Sequence, residues 1–127
     1  MKYMIVTQTF PPRTGGMQNV MDSISKKLSI YNETHIFPDH YLSKEYSNSN
    51  LNIYIHNNFS MKILRPFIKK ILLKLFCKSD DVIICDSWKS LNAIPKNINK
   101  IYVFAHGQEF LSKERKFERI KQTLSRA

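Results

Sequence analysis

The chain has 127 residues, 43% of them hydrophobic, which fits one ordinary core and a single domain. Lys and Arg outnumber Asp and Glu by 20 to 10, and the formal net charge of +10 suits polyanions, anionic membrane surfaces and nucleic acids among them. No apolar run approaches the roughly 18 residues that span a bilayer, the first ten residues lack a signal-peptide pattern, and two cysteines without CxxC spacing indicate neither zinc nor a disulfide framework; a cytoplasmic chain with reduced, buried thiols is expected.

Tyr3, Met4, Ile5 and Val6 form an apolar run suited to a strand buried on both faces, predicted over 3–8. Pro11 and Pro12 stop it, because proline has no N–H for the ladder. Beyond Gly15 and Gly16, the residues Met17, Val20, Met21, Ile24 and Leu28 recur at spacings of three and four, predicting a helix over 17–29 with one apolar stripe. Strands are predicted at 33–37 and 51–56, separated by Asp39 to Asn50, which is rich in Tyr, Ser and Asn and reads as a mobile loop. A helix over 62–77, a strand over 81–86, a short helix over 88–93, a strand over 100–105 and a helix over 112–125 complete the order. This alternation predicts an α/β fold with a doubly wound, mostly parallel sheet. In such a sheet ligands bind beyond the carboxyl ends of the strands, near the point where strand order reverses. Gly15-Gly16 and His106-Gly107 both follow strands at that edge, and are expected to converge on one cleft.

Glycines at the start of a helix let a ligand approach the backbone closely, and the free N–H groups and positive dipole end there favour an anion. The plainer alternative is a tight strand-to-helix turn. Neither the dinucleotide fingerprint nor the Walker pattern is met, since Met17, Gln18, Asn19 and Val20 follow Gly16 with no third glycine. His35, His40 and His56 share no metal-ligand spacing and read as structural or exposed. His106 ends an apolar strand at the ligand edge; Asp86 and Glu109, near the same edge, are candidate polar contacts. No Ser/His/Asp or Cys/His nucleophile can be assembled.

Much of the positive charge lies in the segment 61–78. On a helix, Leu64, Ile68, Ile71 and Leu75 share one face, expected to pack on the sheet. The other face mixes Leu72, Leu73 and Phe76 with Lys62, Arg65, Lys69 and Lys70. Such a face suits the headgroup zone of an anionic membrane, which makes Lys62, Arg65, Lys69, Lys70, Leu73 and Phe76 candidate membrane contacts. The alternative is a helix buried on two sides with solvated lysines at its rim. Nucleic acid is the weakest of the anionic partners and is not expected, because no docking signature appears and the aromatics fall inside strands or at apolar helix positions.

The succession Pro11, Pro12, Gly15, Gly16, Met17, Gln18 resembles the first loop of the GT-B fold glycosyltransferases of family 4, and Gln18 is most similar to the phosphatidylinositol mannosyltransferase branch. The strand 81–86, the helix after Trp88, Pro95 and the strand running into His106-Gly107 resemble that family's later succession. The resemblance implies a Rossmann-like N-terminal domain over 1–127, on the acceptor side of a retaining glycosyltransferase that builds a lipid-linked or cell-surface glycan. The nucleotide-sugar-binding C-terminal domain is expected as its missing partner, and a peripheral position on the inner face of the plasma membrane as its location. By the same resemblance Gly15 and Gly16 face the donor's diphosphate, Gln18 and Gly107 the acceptor, and His106 the transferred sugar as the catalytic contact. The implied partners are a nucleotide-sugar donor and a glycan or lipid-linked acceptor, with no cofactor and no protein-bound metal. Two other classes fit the residues alone: a non-catalytic α/β binding module, or half of a split enzyme, and a different mononucleotide-binding α/β enzyme.

Overall fold

Met4, Ile5, Val6 and Thr7 are all fully buried, as in a strand covered on both faces, and they lie in the central strand of a parallel sheet. The computed structural model describes residues 1–8, 15–39, 42, 52–58, 60–104, 114–125 and 127. Its strands are β1 (Tyr3–Thr7), β2 (Thr34–Pro38), β3 (Ile53–Ile55), β4 (Val82–Cys85) and β5 (Lys100–Val103), all parallel, in the order β3-β2-β1-β4-β5. The helices are α1 (Gly16–Ser29), α2 (Arg65–Phe76) and α3 (Glu114–Leu124), with a 3-10 helix at Trp88–Ala93 before β5. Strand order runs outward from β1 through β2 to β3, then returns to β4 on the other side, so the switch point lies between β1 and β4.

Side-chain alternation along β1 divides the core into two layers. Ile5 faces Met21, Ile36, Leu42 and Ile53, with Met17, Ile24 and Leu28 of α1 packed over them. Met4 and Val6 face Phe37, Leu73, Ile83, Leu91 and Ile101, a layer roofed by α2 and the 3-10 helix, with Leu124 of α3 at its margin. The doubly wound α/β arrangement expected from the sequence is therefore present.

Two aspartates clip β4 to β1 at opposite ends. Asp81 accepts hydrogen bonds from the Lys2 N–H (2.7 Å) and the Lys78 N–H (2.8 Å) at the amino edge. Asp86 does the corresponding work at the carboxyl edge. Both are buried, and each multiply bonded carboxylate stabilises the strand ends it joins.

Helix α2 departs from the sequence expectation in two ways. It begins at Arg65 and not at 62, because Pro66 lacks an N–H and is accommodated in the first turn but not inside a helix. Asn58 fixes that start, donating to the Arg65 carbonyl (3.0 Å) and accepting from the Ser60 N–H (3.1 Å). The second departure concerns its faces. Leu73 is completely buried and Lys69 is 4% exposed, whereas Ile71 and Leu75, expected against the sheet, are 58% and 73% exposed. Leu64 is also exposed, and Ile68 half-buried. Lys69 and Leu73 are thus corrected from membrane contacts to interior residues. Arg65 is half-buried, its Nε donating to the Ser60 carbonyl at 3.1 Å. Phe76 packs its ring on His56 at 4.3 Å between centroids, while Lys62 and Lys70 are exposed as expected.

The expected mobile loop from Asp39 to Asn50 falls mostly outside the described residues. Leu42 within it is buried, its N–H and C=O both held by the Asn57 carboxamide at 2.8 and 2.9 Å. No helix among the described residues is long and apolar enough to cross a membrane.

Candidate functional site

The parallel pairing of β1 with β4 brings Val6 beside Cys85, and hence Thr7 and Gln8 beside Asp86. One Asp86 oxygen accepts hydrogen bonds from the Thr7 hydroxyl (2.8 Å) and the Gln8 N–H (2.6 Å). The other accepts from the Ser90 hydroxyl at 2.9 Å. The carboxylate thereby holds the diverging ends of β1 and β4 and seats the 3-10 helix above them. Asp86, a candidate ligand contact by sequence, is a buried positioning residue.

Across the same edge, Lys69 reaches from α2 to the ends of β1 and β2. Its Nζ donates to the Thr7 carbonyl at 3.1 Å and pairs with the Asp39 carboxylate, which lies just beyond β2. This explains how a lysine is stable in the interior: a buried cation needs both an opposite charge and hydrogen-bond acceptors.

Between these braces lies a cleft of about 240 Å³. Its described lining comprises Gln8 and Asp39 at the strand ends, Pro66, Phe67, Lys69 and Lys70 of α2, and Lys89, Ser90, Asn92 and Ala93 of the 3-10 helix. Among the described residues three ammonium groups line it against one carboxylate, that of Asp39, which Lys69 already pairs. The cleft sits at the carboxyl edge beside the β1/β4 switch, where ligands of doubly wound sheets bind.

The glycine pair stands at the same edge. Gly15 is the N-cap of α1 and Gly16 its first residue; among the described residues no side chain caps the helix, and its first turn carries no acid. The first bond along the helix runs from the Asn19 N–H to the Gly15 carbonyl (3.2 Å), so the preceding N–H groups of the turn have no partner within the helix. The Gln18 carboxamide folds over Gly15, where a Cβ would collide with it. Among the described residues a Cβ on Gly16 would meet nothing within 4 Å, so their packing does not require glycine at position 16. Among the described residues the cleft lining comes from the α2 side of the sheet and includes no residue of α1, so the glycines and the cleft flank the end of β1. His106, Gly107 and Glu109 lie outside the described residues, as do Pro11 and Pro12.

No family model, curated protein or solved structure matches the chain.

The remaining titratable groups narrow the chemistry. Burial pushes the Cys77 thiol up to about 12, with Asp81 adding to it, and raises that of Cys85 as well, so neither is a thiolate nucleophile at neutral pH. His35 and His56, distant in sequence, meet where β2 pairs with β3, with Nδ1 and Nε2 2.8 Å apart. His56 is stacked on Phe37 at 4.6 Å. Burial lowers both imidazoles, His56 to about 4. The Glu33 carboxylate stands 3.6 Å from His35 Nε2, too long for a hydrogen bond. The described residues contain no group of three His, Cys, Asp or Glu able to hold a metal ion. The sequence reading missed Asp39, Lys89 and Ser90; Asp39 could have been found from its position immediately after β2, whereas Lys89 and Ser90 lie within the 3-10 helix that follows β4.

Proposed function

We propose that this chain is the N-terminal, acceptor-side domain of a retaining glycosyltransferase. It would use a nucleotide-diphosphate sugar and act on a lipid-linked or cell-surface glycan at an anionic membrane. The observation that carries this is the N-terminus of α1 on the carboxyl edge of the sheet: a first turn that no described side chain caps, free of acid, beginning at a glycine that the packing of the described residues does not require. Room without a Cβ at Gly16 lets a diphosphate approach the backbone N–H as leaving-group charge develops. Gln18, whose carboxamide folds over Gly15, would hydrogen-bond the acceptor. The resemblance of Gly15-Gly16-Met17-Gln18 and His106-Gly107 to the glycosyltransferase motifs supports the same assignment and gives His106 the contact with the transferred sugar.

The membrane contact belongs to the outward face of α2. Leu64, Phe67, Ile71 and Leu75 recur at three- and four-residue spacings and are all exposed, flanked by exposed Lys62, Lys70 and Lys74. Apolar side chains beside cations suit a headgroup layer, each cation near an anionic leaflet contributing about 1 kcal/mol.

The test is Gly16→Val in the protein joined to its nucleotide-binding half. Transfer from the sugar nucleotide should be abolished with the melting temperature unchanged, because the valine side chain enters open space in the free fold. Wild-type turnover in that variant removes the loop from the mechanism.

A further inference from the structure

The cleft beside the β1/β4 switch carries two cations for which the described lining residues supply no counter-charge. Lys69 is committed to Asp39 and the Thr7 carbonyl. Lys70 and Lys89 are exposed, belong to different elements, and both line the cleft. Lys89 lies 6.0 Å from the Trp88 ring centroid, a contact that positions its stem without supplying a counter-charge. The lining also includes Gln8 and Asn92, whose carboxamide N–H groups can donate to an oxyanion. The nearby Asp86 carboxylate accepts three hydrogen bonds from Thr7, Gln8 and Ser90. At one lip, Phe67 belongs both to the cleft wall and to the exposed apolar face, which continues through Ile71 and Leu75.

We propose that this cleft binds the phosphate of a lipid phosphate, held between Lys70 and Lys89, with its acyl or prenyl chain leaving over Phe67 toward Ile71 and Leu75. A compact anion satisfies two ammonium groups lining one cleft, and an apolar tail covers the adjoining side chains that water now contacts. The inference rests on the glycosyltransferase assignment only in naming this ligand the acceptor; the phosphate site itself follows from the cleft. It also explains why α2 carries apolar side chains on both faces: one roofs the core and the other guides a lipid to the cleft.

The probes are dihexanoyl phosphatidic acid below its micellar concentration, dihexanoyl phosphatidylcholine and inorganic phosphate, titrated calorimetrically into the folded protein. Phosphatidic acid should bind at least tenfold more tightly than inorganic phosphate, and phosphatidylcholine should bind least. The double variant Lys70→Gln/Lys89→Gln, whose side chains are exposed, should fold normally and lose tenfold or more in affinity for phosphatidic acid. Phe67→Ser should weaken phosphatidic acid while leaving inorganic phosphate unchanged. Affinity indifferent to the double variant overturns the phosphate site, and equal affinity for phosphatidic acid and inorganic phosphate overturns the lipid assignment. Sugar transfer that depends on Gly16 in a protein whose lipid binding ignores Lys70 and Lys89 overturns this inference alone. Lysine-dependent binding in a protein without transfer overturns the glycosyltransferase assignment alone.

Discussion

Acidification should destabilise this fold through the imidazole pair on β2 and β3. His35 Nδ1 and His56 Nε2 share one hydrogen bond of 2.8 Å, which requires one nitrogen to accept; a proton on that nitrogen sets two N–H groups against each other. Burial of His56, reinforced by the neighbouring His35 and Lys2 charges, lowers its pKa from 6.5 to about 4. The unfolded chain then binds the proton more readily throughout that interval. Stability from this group is complete above the unfolded value of about 6.5, and is lost as pH falls toward about 4. The gap corresponds to about 3 kcal/mol, and partial solvent contact of the ring brings the expected loss to about 2 kcal/mol. Urea unfolding followed by circular dichroism at about pH 7.5 and about pH 4.5, in wild type and His56→Gln, isolates the contribution. The carboxamide can still hydrogen-bond His35 but does not titrate, and the carboxylates whose pKa values lie low in the fold, Glu33 and Asp80, are common to both proteins and cancel. The variant should be less stable at the higher pH yet lose about 2 kcal/mol less on acidification. Equal losses in the two proteins would refute the reasoning.

The orientation of α2 is tested by two leucines of one helix. Leu73→Ala should cost about 3 kcal/mol by leaving a cavity among Met4, Val6, Ile83 and Leu91, whereas Leu75→Ala on the solvent side should change the urea midpoint by less than about 0.5 kcal/mol equivalent. Comparable costs would mean the helix is turned otherwise. Co-sedimentation with vesicles should be strong when they contain phosphatidylserine, weak for neutral lipid, and reduced by salt. Lys70→Glu/Lys74→Glu should abolish it with the protein still folded, and survival of binding in that variant would remove α2 from the membrane surface.

Element type and order were legible in the sequence because they rest on local periodicity. The run Tyr3 to Val6 and the spacings from Met17 to Leu28 identify a buried strand and an amphipathic helix without reference to anything distant. The glycine pair was legible for the same reason, since it punctuates the passage from one period to the other. Boundaries were less so: Pro66 marked the true start of α2, but the apolar pattern ran on through it. The direction in which α2 faces was not legible, because it is apolar on two sides and hydrophobicity cannot choose between them. Tertiary structure decides it through a polar requirement, the Lys69 ammonium meeting Asp39 just beyond β2 and the Thr7 carbonyl of β1. Those partners lie far from Lys69 in the chain, and only parallel pairing brings their strand ends together. Strand order likewise joins His35 to His56, ties Asp86 to Thr7, and brings Lys70 and Lys89 to one cleft that neither segment contains alone.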